Sequence, residues 1–302
     1  MAARQSDSTG GRAATQRTLC IDHSVVTHEA SWPALAHSLA SGKLRLALSL
    51  WNLVEIGAAS DKAQQRRRLT FLEKFNPLWI VERVSIQKQE VQGFLWKNVF
   101  RAAPTEPQVF TPHLSVVDSY HEGHKARIGL TASQWIAGID FEGIEKRKDL
   151  APNALKFLQT VDRQTLEDRE DEIFKPWIEP LLPTADPDGR ALTKVRGAEL
   201  LNYCAEHRDE FFAWCKSLAV EDALTAARAT TARKRKPQRS DGIDLMHAVI
   251  GLAYCDFFLA RDGFVRTCSS HAIKALAPVR LAALFENTET LRDELATPPP
   301  AT

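Results

Sequence analysis

The chain lacks the features that mark the most easily recognised classes of protein. It has five cysteines in 302 residues, and none of them forms a Cys-x-x-Cys pair, so the sequence offers neither a common zinc motif nor a disulfide framework. It has no apolar run long enough to span a membrane, and residues 1–16 lack the apolar core of a secretory signal. These absences favour a protein of the cytoplasm, where thiols stay reduced.

Two families of sequence motif are also missing. Neither of the Gly-rich phosphate-binding patterns, G-x-x-x-x-G-K-[ST] and G-x-G-x-x-G, occurs in the chain, which argues against a P-loop NTPase, a kinase or a dinucleotide oxidoreductase. The G-x-S-x-G pattern is absent as well, which argues against an α/β-hydrolase. The net charge is only +1, so any attraction for nucleic acid must come from a local basic patch.

What the chain does contain is an alternation of short apolar runs and amphipathic stretches. The runs predict four buried strands, at Thr18–Ile21, Leu44–Leu50, Leu78–Val81 and Phe257–Ala260. The stretches between and after them predict helices at 31–41, 51–59, 62–75, 85–100, 244–254, 269–275 and 281–295. This alternation is typical of a three-layer, doubly wound α/β fold with a parallel sheet.

The pattern is interrupted in the middle of the chain. We expect an α/β domain formed by residues 17–100 and 241–297, with a mainly helical insertion at 101–240 that ends in a basic loop at 228–239. Residues 1–16 and 298–302 have the composition of disordered tails.

Four acidic residues stand where the elements of such a sheet end. Asp22 follows the first strand and Glu55 lies on the helix after the second, whereas Asp244 and Asp262 flank a late helix and strand. An acid at the carboxyl end of a parallel strand points into the crevice where such sheets bind ligands. Because several carboxylates in one crevice repel each other unless a hard cation joins them, the four predict an Mg²⁺ or Mn²⁺ site.

Each acid also has a structural interpretation. Asp22 and Asp244 suit the N-cap of a helix, Glu55 suits a solvent-facing helix position, and Asp262 beside Gly263 suits a turn. Asp241 competes with Asp244 for the same role.

The segments Leu19-Cys-Ile-Asp22, Val54-Glu55 and Asp244-Leu-Met-His247 through Asp256 to Asp262 together resemble the PIN-domain nucleases. The resemblance covers roughly residues 17–100 and 241–285, and it departs from compact members of that family in the long separation between Glu55 and Asp244. It implies Mg²⁺- or Mn²⁺-dependent cleavage of phosphodiester bonds, most often in RNA, with all four acids as catalytic and metal-binding residues. It also implies a homodimer, and, if the enzyme is a toxin, an antitoxin partner.

Other functions remain open at this stage. The same fold could serve as a non-catalytic nucleic-acid-binding or scaffold protein, or as a metal-dependent phosphatase for small phosphoesters. A basic run before Asp244 would attract a phosphate backbone in either nucleic-acid hypothesis; it consists of Arg233, Lys234, Arg235, Lys236 and Arg239.

Several further residues are weaker candidates. Ser24 and Asn52 could bond substrate or metal waters, and His247 is interpreted mainly as a packed helix residue. The group Asp118, His121, Glu122 and His124 lacks the spacing of a helical zinc motif, and Arg66–Arg68 are interpreted as a charged helix face.

Overall fold

We analysed a computed structural model of the chain, which describes residues 16–114, 131–138, 170–232 and 241–296. Its centre is a sheet of six strands: β1 Arg17–Ile21, β2 Leu44–Leu48, β3 Leu78–Ile80, β4 Phe110–Thr111, β5 Phe257–Leu259 and β6 Ala283–Phe285. Thirteen α-helices lie within the described ranges: α1 His23–Thr27, α2 Trp32–Ala40, α3 Leu50–Gly57, α4 Lys62–Glu73, α5 Arg83–Asn98, α6 Ala132–Ala137, α7 Glu170–Ile178, α8 Lys194–Glu206, α9 Arg208–Trp214, α10 Lys216–Ala232, α11 Asp241–Tyr254, α12 Gly263–Ala275 and α13 Thr288–Ala296.

The strand order is β4-β3-β2-β1-β5-β6. Every neighbouring pair is parallel except β3 and β4, which are antiparallel. From β1 the chain winds outward through β2 to β3 and later returns to the other side of β1 at β5. The order therefore reverses between β1 and β5, and in open α/β sheets ligands bind at the carboxyl ends of the strands at such a point.

Buried side chains alternate along β1 because successive residues of a strand point to opposite faces of the sheet. Leu19 and Ile21 enter the core on one face, which α2, α3 and α4 cover. Cys20 enters the core on the other face, where α10, α11 and α12 pack. The mostly parallel α/β sheet that the sequence predicts is thus confirmed.

Two strands were missed, and one predicted helix is wrong. The prediction of a single helix over 281–295 fails because Ala283–Phe285 pairs with β5 as the strand β6, and α13 begins only at Thr288. The run Leu281-Ala-Ala-Leu-Phe285 is short and apolar, and periodicity alone does not distinguish a strand from a helix in such a run. The strand β4 was not predicted because it has only two residues, Phe110 and Thr111, too few to show a strand pattern.

The middle of the chain contributes to the sheet domain as well as forming a cluster of its own. Side chains of α10, among them Val220 and Leu224, pack in the same core as α11 and α12. A further core joins α5 to α7, α8 and α9 around Phe94 and Phe211. The division into a domain and an insertion stays a prediction. No helix within the described ranges combines the length and apolar character needed to cross a lipid bilayer.

Candidate functional site at the carboxyl ends of β1 and β5

Asp22 is the first residue after β1 and is 3% exposed. Its backbone N–H donates to the carbonyl of Leu259 at the end of β5, 3.0 Å away, so the two strand ends are joined at this residue. Its carboxylate caps α1: Oδ1 accepts from the Ser24 N–H at 2.7 Å, and Oδ2 accepts from the Ser24 hydroxyl at 2.6 Å. Asp22 is therefore both the predicted crevice residue and a helix cap.

Asp262 follows β5 and caps α12. Its Oδ1 accepts from the N–H groups of Phe264 and Val265, at 2.7 and 3.1 Å. The Ser24 hydroxyl that donates to Asp22 also accepts from the N–H groups of Arg261 and Asp262, each at 3.1 Å. One hydroxyl thus links the first acid to the loop of the last. The contact of Ser24 with substrate or metal waters stays a prediction.

Glu55 lies on α3 and is held by a histidine of α11. The Nε2 atom of His247 is 2.8 Å from Glu55 Oε2. On the far side of the ring, Nδ1 of His247 is 3.1 Å from the hydroxyl of Ser49. The His247 side chain is fully buried, whereas that of Glu55 is 17% exposed. The interpretation of His247 as mainly a packed helix residue is confirmed by its burial, and the same side chain also bonds Glu55, one of the predicted site residues.

Asn52 fixes the start of α3 against β1. Its Oδ1 accepts from the Ser49 N–H at 2.9 Å, and its amide donates to the carbonyl of Ile21 at 3.2 Å. Asn52 is completely buried, so it positions the helix that carries Glu55 directly beside the residue before Asp22.

A second histidine, His23, was not predicted. Its Nδ1 lies 3.6 Å from Glu55 Oε2 and is buried with no hydrogen-bond partner among the residues that the structure describes. Its only signal in the sequence is its place directly after Asp22, and neither its type nor its spacing marks it.

The two imidazoles have opposite pKa shifts. Burial lowers the pKa of His23, and the charges of His247 and Arg68 act in the same direction, against the opposing effects of Glu55 and Asp22. Burial also disfavours the charged form of His247, but the charge of Glu55, the hydrogen bond to it and the charge of Asp22 outweigh burial and raise the pKa of His247. Glu55 therefore has a less basic imidazole on one side and a more basic one on the other.

Asp244 is partly buried on α11, three residues before His247. Because α11 begins at Asp241, Asp244 lies inside the helix, and the N-cap interpretation of this residue is wrong. Within the part of the chain that the structure describes, no group of three or more His, Cys, Asp or Glu side chains is arranged to hold one metal ion.

The donors nevertheless suit a hard cation. Mg²⁺ binds oxygen, keeps several of its waters and often takes only one or two protein carboxylates. Asp22 and Asp262 supply such a pair at adjacent strand ends. Among the described residues, the hydrogen bonds that the Asp262 carboxylate accepts both go to Oδ1, so Oδ2 is the oxygen that a cation would take.

Other candidates fall outside the described residues. These are the basic residues Arg233, Lys234, Arg235, Lys236 and Arg239, and the group Asp118, His121, Glu122 and His124. Of the Arg66–Arg68 triplet, Arg68 is 6% exposed, so its assignment to a charged surface is wrong.

Comparisons with known proteins add no family to this geometry. No protein-family model, no curated protein and no solved structure matches the chain.

Proposed function

We propose that the protein is a metal-dependent endonuclease that hydrolyses phosphodiester bonds, with RNA as its substrate. The observation that carries the proposal is the placement of Asp22 and Asp262 at the carboxyl ends of adjacent strands, joined through the Ser24 hydroxyl, at the reversal point of the sheet. Glu55 lies close to the first acid, since its Oε2 is 3.6 Å from Nδ1 of His23, the residue directly after Asp22.

Asp22 and Asp262 would be the principal ligands of Mg²⁺ or Mn²⁺, and Glu55 and Asp244 would act directly or through water. Such an ion supplies a Lewis acid that neutralises charge on the phosphoryl oxygens and makes water more acidic. A site of this kind needs no nucleophilic side chain, because water is the nucleophile.

The protein's own contribution is to hold the carboxylates and to accept a proton. Glu55 is exposed enough to meet a water molecule, and the Nε2–H of His247 holds its carboxylate in one orientation. In the proposed step Glu55 takes a proton from water as the oxygen attacks phosphorus, the bond to the leaving oxygen breaks, and that oxygen takes a proton from solvent. Asn52 and Ser49 hold the helix and the imidazole in place.

The choice of RNA over DNA rests on the resemblance of the acid order to PIN-domain nucleases. The basic run at 233–239 would bind the phosphate backbone and make binding depend on salt. A cytoplasmic location, a homodimer and an antitoxin or other protein partner belong to the same proposal.

The decisive experiment is a cleavage assay on labelled single-stranded RNA, structured RNA and single-stranded DNA, with Mg²⁺, with Mn²⁺ and with EDTA. Asp22→Asn is expected to lower the cleavage rate at least about 100-fold, and Glu55→Gln by about 10² to 10⁴-fold if Glu55 is the general base. Asp188→Asn is the matched control, because it makes the same aspartate-to-asparagine substitution at an exposed position.

Folding of each variant is checked by circular dichroism and thermal unfolding. Cleavage that survives EDTA, or that Asp22→Asn retains at the wild-type rate, refutes the proposal. Binding of RNA without cleavage under all conditions would instead support the non-catalytic hypothesis.

A further inference from the structure

Arg261 lies at the rim of the candidate site, one residue before Asp262. Its backbone N–H donates to the Ser24 hydroxyl at 3.1 Å, and that hydroxyl donates to Asp22 Oδ2 at 2.6 Å. Two consecutive hydrogen bonds therefore connect the backbone of Arg261 to the Asp22 carboxylate. No motif in the sequence marks Arg261, so its place at the site follows from the structure alone.

The Arg261 guanidinium lies beside the carboxyl end of α1. Its Nη1 donates to Nδ1 of His28 at 2.7 Å in an exposed position, and His28 is the residue that ends α1. Because a guanidinium can only donate, Nδ1 accepts and the ring proton of His28 is on Nε2. His28 comes four residues after Ser24, so the guanidinium is displaced by about 6 Å along the helix from the hydroxyl that bonds Asp22.

Among the described residues, Arg261 differs from other arginines in having no acidic partner. Arg266 pairs with Glu286, and Arg67 pairs with Glu29, so the charge of each is offset within the protein. The Arg261 side chain instead bonds an imidazole nitrogen, which orients the guanidinium without neutralising it. Within the described part of the chain, this leaves most of the five guanidinium donors for a ligand.

The charge of Arg261 complements the acids beside it. A nucleic-acid strand that reaches Asp22 and Asp262 brings its phosphates toward two carboxylates, which repel them. A cation at the rim of the same crevice offsets this repulsion, and a planar guanidinium forms paired hydrogen bonds to two oxygens of a phosphate. Because the guanidinium is displaced along α1 from Asp22, it suits a neighbouring phosphate of the strand rather than the phosphate at the carboxylates.

We propose that Arg261 binds a backbone phosphate of single-stranded nucleic acid, next to the phosphodiester that is cut. His28 is a positioning residue, because it acts only by holding the guanidinium. The contact deepens the proposed function and rests on it for the identity of the strand. It reads neither base nor sugar, so it serves the phosphates of RNA and of DNA alike.

The test measures binding with EDTA in the buffer, so that cleavage is not needed. Labelled single-stranded RNA and single-stranded DNA are titrated by fluorescence anisotropy at several salt concentrations. Arg261→Met is expected to weaken the binding of both strands about 3- to 10-fold. It should also make the plot of log K against log salt shallower by about 0.7, the loss of one phosphate contact on a single strand. Arg261→Lys keeps the charge, so its slope should stay that of the wild type.

Arg280→Met is the matched control. Arg280 is exposed and lies three residues before β6, at the amino edge of the sheet, so the same charge is lost away from the carboxyl ends of the strands. It should keep the wild-type affinity and slope. Circular dichroism and thermal unfolding check the fold of each variant. If Arg261→Met does not fold, Arg261→Gln takes its place, because glutamine loses the charge but keeps an N–H donor.

Three results would overturn the contact. The first is wild-type protein that binds neither strand, and the second is an unchanged affinity and slope in Arg261→Met. The third is a loss for RNA alone, because DNA carries the same phosphate. In the cleavage assay, Arg261→Met should raise KM and largely keep kcat, since a phosphate that does not react is bound equally in the ground state and the transition state. A fall in kcat at unchanged KM would overturn the assignment to a neighbouring phosphate.

Failure of this contact is distinguishable from failure of the proposed function. If the wild type binds a strand through Arg261 but cleaves no nucleic acid, the nuclease proposal fails and the phosphate contact stands. If cleavage depends on Asp22 while Arg261→Met leaves the affinity and the salt slope unchanged, the contact fails and the nuclease proposal stands.

Discussion

The free energy of unfolding of the Glu90→Gln variant, minus that of the wild type, is expected to increase as the pH rises. Glu90 lies on α5 and is 1% exposed. Its Oε1 accepts from the backbone N–H of Ser217 at 2.9 Å and from the hydroxyl of Tyr254, and its Oε2 accepts from the Ser217 hydroxyl at 2.5 Å. One carboxyl therefore ties α5 to the first residues of α10 and to the end of α11.

The sign of the pH effect follows from the pKa of Glu90. Burial raises this pKa above its ordinary value, and the hydrogen bonds from Ser217 and Tyr254 only partly oppose the rise. The folded state thus binds a proton that the unfolded state has already released, so this contribution to stability is fully present below the unfolded pKa and is lost as pH rises through the folded one. Each tenfold change in the acid dissociation constant corresponds to about 1.4 kcal/mol.

Glutamine keeps the hydrogen bonds without the charge. Its carbonyl can take the place of Oε1 and accept from the Ser217 N–H and the Tyr254 hydroxyl, while its amide donates to the Ser217 hydroxyl in the place of Oε2. Glu90→Ala has no such replacement and leaves three donors without an acceptor, two on the buried Ser217 and one on the partly buried Tyr254, at about 1–3 kcal/mol each. We therefore expect a loss of about 3–9 kcal/mol for alanine, and a much smaller change for glutamine.

Urea unfolding at several pH values from 4.5 to 8 measures these differences. The free energy of unfolding of Glu90→Gln minus that of wild type should increase over this range and then level off. Glu199→Gln, on an exposed residue of α8, is the control and should show no such increase. A difference that stays constant or falls as pH rises would refute the reasoning, because a buried carboxyl with a raised pKa cannot produce it.

The remaining predictions concern the packing that positions the site. Gly251→Ala on α11 should lower the free energy of unfolding by about 1–3 kcal/mol, because the added Cβ would lie 3.0 Å from a ring carbon of Phe258. Gly197→Ala on α8 should raise the free energy of unfolding by about 0.5–1 kcal/mol, because its added Cβ would have nothing within 4 Å. Urea unfolding of the two variants measures both changes. Asp256→Ala should cost about 1–3 kcal/mol by the same measurement, since Asp256 Oδ2 accepts from the N–H and the hydroxyl of Thr18 at 2.8 and 2.9 Å; an unchanged unfolding curve would show that this link between β1 and the start of β5 contributes nothing.

The sequence was a good guide where a strand is fully buried. The runs that became β1, β2, β3 and β5 are apolar and are bounded by polar or helix-starting residues, so four of the six strands were predicted within two residues of their observed ends. The two that were missed, β4 and β6, lie at the edges of the sheet. Edge strands are short and partly exposed, so they carry less of the apolar pattern on which the prediction depends.

The residues of the candidate site also fall into those that the sequence predicts and those that it does not. Asp22 directly follows β1, and Asp262 lies three residues after Leu259, the last residue of β5; both were predicted because strand ends can be located in the sequence. The bond between Glu55 and His247 joins positions 192 residues apart; it exists because α3 and α11 pack together, which no local pattern encodes. Arg68 was misjudged for a related reason, since three consecutive arginines indicate a charged helix without showing which of them faces inward.

Asp22 caps a helix, as its structural interpretation predicts, and Asp262, which was interpreted as a turn residue, also caps a helix; the metal-binding role of both acids stays a proposal. A carboxylate that caps a helix is held by backbone N–H groups, so its orientation is fixed before any ligand arrives. The caps differ in a way that matters for binding. Asp22 uses both oxygens for Ser24, whereas the two bonds to Asp262 share Oδ1. A cation would therefore take Asp262 Oδ2 without breaking a hydrogen bond to any described residue, and at Asp22 it would share the carboxylate with the Ser24 hydroxyl or displace that hydroxyl. The same hydroxyl also accepts from the N–H groups of Arg261 and Asp262. A ligand that displaced it from Asp22 would therefore also alter the hydrogen bonds of the loop that carries Asp262.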